Sequence, residues 1–169
     1  ETLAGQDVKA AFFVPSDPDA ILANAGLLRR IYGEGHTVGL QLSGQWAGPG
    51  DAAAEFERGN AALRAVLLTK TRLASIAGGA DTVSQDILDT LIDQGCRLWN
   101  SNIAAASATA RTLQNSLSRM RGTSVIGFAS DAAALDSLPS VLSYVSTGNY
   151  SLLTITEWDT PSNPAVEIR

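Results

Sequence analysis

Leu28–Gln45 reads LRRIYGEGHTVGLQLSGQ, and the hydrophobic period changes inside it from that of a helix to that of a strand. Upstream, Ile21, Leu22, Ala25, Leu28 and Ile31 recur at helical spacing, so one helix is expected from Asp17 to about Tyr32. Ser16 or Asp17 can cap its N-terminus, with Pro18 near the first helical position. Gly33 and Gly35 supply the stop. Thr37–Leu42 then reads as a strand, and the loop 44–50 carries three glycines and a proline. Helix, stop, strand and loop in that order are the repeating unit of an α/β fold.

The same alternation extends in both directions. Lys9–Val14 (KAAFFV) is an apolar strand ahead of the first helix. After the loop, Asp51 is expected to cap a helix to about Leu68. Arg72–Ala77 is a third strand ended by Gly78-Gly79, and a helix starts at Asp81 or Thr82 and runs through Gln94. Cys96–Asn100 is a strand, Ser107–Arg121 a helix and Ser124–Ala129 a strand. A helix over Asp131–Ser146 should kink or break at Pro139. Tyr150–Glu157 is the last full strand, and the tail Trp158–Arg169 can add a short one at Ala165–Ile168. Six strands alternating with five helices imply a parallel sheet. Continuous apolar runs such as Ala10–Val14 fit strands buried on both faces. An eight-unit barrel needs about 250 residues. A chain of 169 residues is therefore expected to form an incomplete barrel or an open sheet within a single domain, 1–169.

Composition excludes several classes of function. Apolar residues make up 45% and charged residues 17%, which suits a packed globule. A net charge of −5 argues against a nucleic-acid surface. No apolar run approaches the roughly 20 residues needed to span a bilayer. Beginning at Glu1 without Met, the chain reads as a fragment or processed form. The lone Cys96 rules out an intrachain disulfide, and any triad or histidine metal site would have to use the single His36. Ser43, Ser75 and Ser130 lack a G-x-S-x-G elbow. Asp86, Asp89 and Asp93 form a solvated helix face, and Gly78-Gly79 lacks the lysine of a phosphate loop.

With these elements placed, the chain resembles the polysaccharide deacetylase (NodB-homology) family in the form common in Gram-positive bacteria. Val8–Val14 (VKAAFFV) is similar to that family's "VKATFFV" strand, and Leu28–Gly39 to its "IYGEGHxxG" segment. Thr71–Gly79 resembles "TxLFRFPGG", and Leu91–Asn100 resembles "LxxxGYxYxDWN". Val125–Ser130 with Leu138-Pro139 looks like "ILLHDS…LP", and Tyr150–Glu157 like "GYxFxxITE". The resemblance implies a NodB-like distorted (β/α) barrel, or an open parallel sheet, whose first strand, bearing two aspartates, would precede Glu1.

At the positions where the family does its chemistry, the residues differ. The two metal-binding histidines fall on Gln41 and Gln45, whose neutral amide oxygens are weak ligands for a zinc-type ion. The supporting arginine falls on Ser75, the aspartate before Trp99 on Leu98, and the late histidine, thought to be the general acid, on Phe128. No catalytic residue and no bound metal are therefore expected, the family's zinc being lost. The vestigial site would comprise Gln41, Gln45, Trp46, Ser75, Trp99 and Phe128, with the two tryptophans offering ring faces to a sugar. His36 is expected to be structural, near a helix C-terminus.

The expected role is a catalytically degenerate module of a bacterial extracellular or cell-surface protein, binding a glycan or a partner protein or serving as structure. An active carbohydrate esterase with motifs upstream of residue 1 is the rival. A missing first strand would leave an apolar sheet edge, to be covered by Ala165–Ile168 or by self-association.

Overall fold

The expected first strand forms β1 (Ala11–Pro15), pairing in parallel with β2 (Thr37–Leu42). β3 (Leu73–Ile76) and β4 (Arg97–Leu98) complete a four-stranded parallel sheet in the order β1-β2-β3-β4. The computed structural model describes residues 7–101, 103–104, 111–112, 115, 118–119, 125–128, 132–148 and 150–156, with positions 3 and 5. Contacts divide the chain into two compact units: Lys9–Trp99 with Thr154–Arg169, and Glu1–Val8 with Asn100–Leu153.

In the first unit the single helix expected over Asp17–Tyr32 is two, α1 (Pro18–Ala23) and α2 (Ala25–Gly33). Asn24 causes the break. Its Nδ2 donates to the Ala20 carbonyl at 2.8 Å, drawing the chain out of the helical path as a short amide side chain can. Asp17 caps α1 as expected, its carboxylate accepting from the Ala20 N–H at 3.0 Å. α3 (Pro49–Leu67) starts two residues before Asp51. Asp51 binds the Ala47 N–H at 3.2 Å instead of capping, and Gly48 is the N-cap. The next expected helix divides into a 3₁₀ turn, Ala80–Thr82, and α4 (Gln85–Asp93).

One face of the sheet packs on these helices. Val38, Leu40 and Leu42 of β2, Ala74 and Ile76 of β3 and Leu98 of β4 join Phe56, Leu63 and Val66 of α3 and Leu91 of α4 in the core. Each fully buried leucine stabilises the fold by about 1.5–3 kcal/mol. α3 is also pinned to the start of β3. The Thr71 N–H donates to Asn60 Oδ1 at 2.8 Å and the Leu73 N–H to Thr71 Oγ1 at 3.1 Å, all within the interior. Cys96 is buried, and burial pushes its thiol up to about 12, so it behaves as a small apolar residue.

In the second unit β5 (Ile103–Ala104) and β6 (Ile126–Gly127) pair in parallel. β5 lies between the strand expected over Cys96–Asn100 and the helix expected over Ser107–Arg121, and β6 is the core of the expected strand 124–129. α5 (Ala132–Thr147) runs on through Pro139, where a kink or a break was expected, and is not broken there. Proline removes one backbone hydrogen bond, and the buried Val141, Leu142 and Val145 hold the helix together beyond it. Residues 150–156 form no strand, correcting the expectation for Tyr150–Glu157. The helix expected over Ser107–Arg121 lies largely outside the described residues, although Arg111, Thr112, Asn115 and Ser118 are helical. The tail Trp158–Arg169, its short strand, and a capping Asp131 lie outside them as well. The architecture is thus a parallel sheet with alternating helices, not closed into a barrel among the described residues.

Candidate functional site

Ligand sites in parallel α/β sheets form at the carboxyl ends of the strands. At that end of the four-stranded sheet, Gln41 lies in register with Pro15 of β1 and Ser75 of β3. The Trp99 N–H donates to the Ala74 carbonyl at 2.8 Å, extending the β3–β4 ladder by one residue. Side chains alternate along strands, so Gln41, Ser75 and Trp99 share the sheet face opposite Leu40 and Ala74. Three residues separated by dozens of positions in sequence therefore form one row. Gln41 is exposed and Ser75 half-buried, whereas Trp99 is buried at 6% exposure.

Gln45 and Trp46 follow on the loop after β2, Gln45 exposed and Trp46 half-buried. The loop lies hard against the end of β3. Gly44 has φ +73°, and a Cβ there would meet the Ala77 carbonyl oxygen at 2.9 Å, so backbone contact requires glycine. Phe128 is half-buried immediately after β6, in the other compact unit.

The residue that organises this end of the sheet is Glu55 of α3, which sequence reading passed over. Its Oε1 accepts from the Ser16 hydroxyl, just past β1, and from the Ser43 N–H at 2.8 Å. Its Oε2 accepts from Ser43 Oγ at 2.7 Å and Trp46 Nε1 at 2.5 Å. Burial pushes the Glu55 carboxyl up, but the hydrogen bonds from Ser16, Ser43 and Trp46 outweigh it and hold the group below its ordinary value. α3 can approach this closely because Gly59 lies one turn further along. A Cβ there would stand 3.0 Å from Leu40 Cδ1 and 3.2 Å from the Ser16 carbonyl oxygen. Nothing in the local sequence marks Glu55, since its donors come from two other segments.

His36 has the structural role expected of it. It is buried, its Nδ1 accepts the Ala10 N–H at 3.2 Å, and Phe12 meets it edge-on with centroids 5.3 Å apart. It lines a cleft of about 370 Å³ with Tyr32, Val38, Leu63, Leu67 and Lys70, beside the start of β2. Gln41, Gln45, Trp46, Ser75 and Trp99 take no part in that cleft.

The chemistry available to the row follows from its donors. The Gln41 carboxamide and the Ser75 hydroxyl of the row, with the Gln45 carboxamide on the loop, are neutral oxygen ligands, and no group of three or more His, Cys, Asp or Glu side chains suited to a metal lies among the described residues. These donors do not fit a zinc-type ion. Glu55 makes a poor general base, since both its oxygens are engaged and its proton affinity is lowered where a base needs it raised toward neutrality. Amides, a hydroxyl and a fixed indole can instead hydrogen-bond and stack on a neutral polar ligand.

No protein-family profile matches the sequence, and no curated protein does. Solved structures do. The chain is similar to the polysaccharide deacetylase Bc1974 from Bacillus cereus, with a TM-score of 0.80 at 17% identity over 92% of this chain and 83% of that one. A family 4 carbohydrate esterase from Streptomyces lividans gives 0.78 at 14% identity, over 95% and 88% respectively. BA3943 from Bacillus anthracis, described as a CE4 family pseudoenzyme, gives 0.78 at 14% identity over 92% of this chain but 57% of its own. The fold is that of the NodB-like polysaccharide deacetylases, hydrolytic and pseudoenzyme members alike.

Proposed function

We propose that this chain is a non-hydrolytic, metal-free deacetylase-like module that binds a glycan, within an extracellular or cell-surface bacterial protein. The observation that carries the reading is the row at the strand ends. Gln41 and Ser75 stand in register where the resemblance would place a metal ligand and its support, and the Glu55 carboxylate beside them is engaged by Ser16, Ser43 and Trp46. Acyl hydrolysis of this type needs a Lewis acid together with a base and an acid. Binding needs only the amides, the hydroxyl and the aromatic ring. Solved structures of similar fold include one described as a pseudoenzyme and a mutant of it described as having restored enzymatic activity, so the fold is compatible with either condition. Among the described residues, no helix is long and apolar enough to cross a membrane.

The test is metal analysis beside an acetate assay. The purified protein should carry well under one equivalent of zinc, cobalt or nickel and release no acetate from acetylated chito- or xylo-oligosaccharides. A stoichiometric transition metal together with acetate release would establish the active esterase instead.

A second copy of the chain is the proposed partner at the edge of the sheet. β1 pairs only with β2 among the described residues, and its sequence is AFFVP. A flat apolar edge invites strand addition. Analytical ultracentrifugation is expected to show concentration-dependent dimers that Ala11→Pro weakens; a monomer at all concentrations would remove the proposal.

A further inference from the structure

We propose that Glu55 is a positioning residue that fixes Trp46 as a stacking platform for a neutral pyranose, an inference that rests on the glycan-binding reading above. Trp46 sits next to Gln45 and beyond Gln41, both exposed, at the carboxyl ends of the strands. Its ring packs partly against the core, and its indole N–H is held by Glu55 Oε2 at 2.5 Å. An indole has two rotatable side-chain bonds, and this packing together with the hydrogen bond fixes both before a ligand arrives. A half-buried ring keeps surface in contact with solvent, and a pyranose offers it a flat face of C–H groups while its hydroxyls reach the neighbouring amides.

The carboxylate also sets the class of ligand. Its four acceptor positions are taken by Ser16 Oγ, Ser43 N, Ser43 Oγ and Trp46 Nε1, so it has none for a sugar hydroxyl. Its charge persists beside the ring and disfavours an anionic sugar at the same place. Neutral oligosaccharides are therefore favoured over uronic-acid oligomers.

Titration with chitotetraose, followed by calorimetry and tryptophan emission, tests this. Trp46→Ala should weaken binding by at least about tenfold, as for a central aromatic anchor, and Trp46→Phe should recover most of it. Glu55→Gln keeps one carbonyl acceptor and removes the charge. It should weaken chitotetraose binding by about three- to tenfold, shift the emission, and leave the emission of Trp46→Phe unchanged when the two are combined. Binding of tetragalacturonate should be weaker than that of chitotetraose in the wild type and gain on Glu55→Gln. Wild-type binding that survives Trp46→Ala, or an unchanged affinity and emission in Glu55→Gln, would overturn the platform and leave glycan binding standing. A wild type that binds neither oligosaccharide overturns both.

Discussion

Leu40→Ala is expected to lower the stability of the fold by about 3 kcal/mol, with a fall in melting temperature of about 6–12 °C for a chain of this size. Leu40 is completely buried at the centre of β2, between β1 and β3 and under α3. The neighbouring Gly59 has no side chain to move into the space left behind, and Leu40 Cδ1 already lies 3.0 Å from where a Cβ would stand. The cavity would therefore persist, which keeps the cost above the low end of the range seen when leucine is cut to alanine in a core, about 2 kcal/mol. Thermal unfolding followed by circular dichroism gives the number directly. A loss below about 1 kcal/mol would mean that α3 and β2 close on the gap, contrary to the packing described.

Glu55→Ala is expected to cost about 2 kcal/mol, near the middle of the range for stranding hydrogen-bond donors because the site is only half-buried. Four donors from three residues lose their acceptor, among them the hydroxyl of Ser16, itself 7% exposed. The pH dependence has a definite sign. The folded carboxyl titrates below its ordinary value, so the stabilisation is complete above the unfolded pKa of about 4.3 and is lost as the pH falls through the lower, folded value. The difference in stability between wild type and variant should be constant near neutrality and narrow below about pH 4. A gap that widened on acidification would show that Glu55 is protonated in the folded protein. Loop order gives a second readout, since Ser43, Gln45 and Trp46 are tied to α3 through this group or through Ser43. Their amide protons should exchange faster in the variant than those of β2.

Both substitutions act where the sequence signals differ in kind. Leu40 belongs to a strand whose apolar run is visible by inspection. Its burial follows from an alternation that survives in the structure, with Val38, Leu40 and Leu42 inward and Gln41 out. The strand–helix order and the parallel pairing were legible for the same reason, since period and glycine stops are local properties. Elements were misread where a side chain rewrote the backbone path locally, as Asn24 does between α1 and α2, and of the kink or break open at Pro139 the break does not occur.

The candidate site divides along the same line. Gln41, Gln45 and Ser75 could be found from the sequence because they stand at recognisable places in motifs. Reading them as one row required the register Gln41↔Ser75, which pairs residues from different strands. Trp46 and Trp99 looked alike in sequence, both aromatic and both beside a strand end. Tertiary packing separates them, burying Trp99 and leaving Trp46 half-open on a hydrogen bond to Glu55.

The sequence by itself determined the parallel α/β order, the start of α1 behind Ser16-Asp17-Pro18, the place of His36 just after a helix, and the amide side chains at Gln41 and Gln45. These depend on residue type and on neighbours within a few positions. Only the tertiary structure decided that Glu55 is the group on which the strand ends converge. Ser16, Ser43 and Trp46 reach it across 39, 12 and 9 positions respectively. No periodicity encodes a hydrogen bond formed at such separations, because it exists only once β1, β2 and α3 have packed.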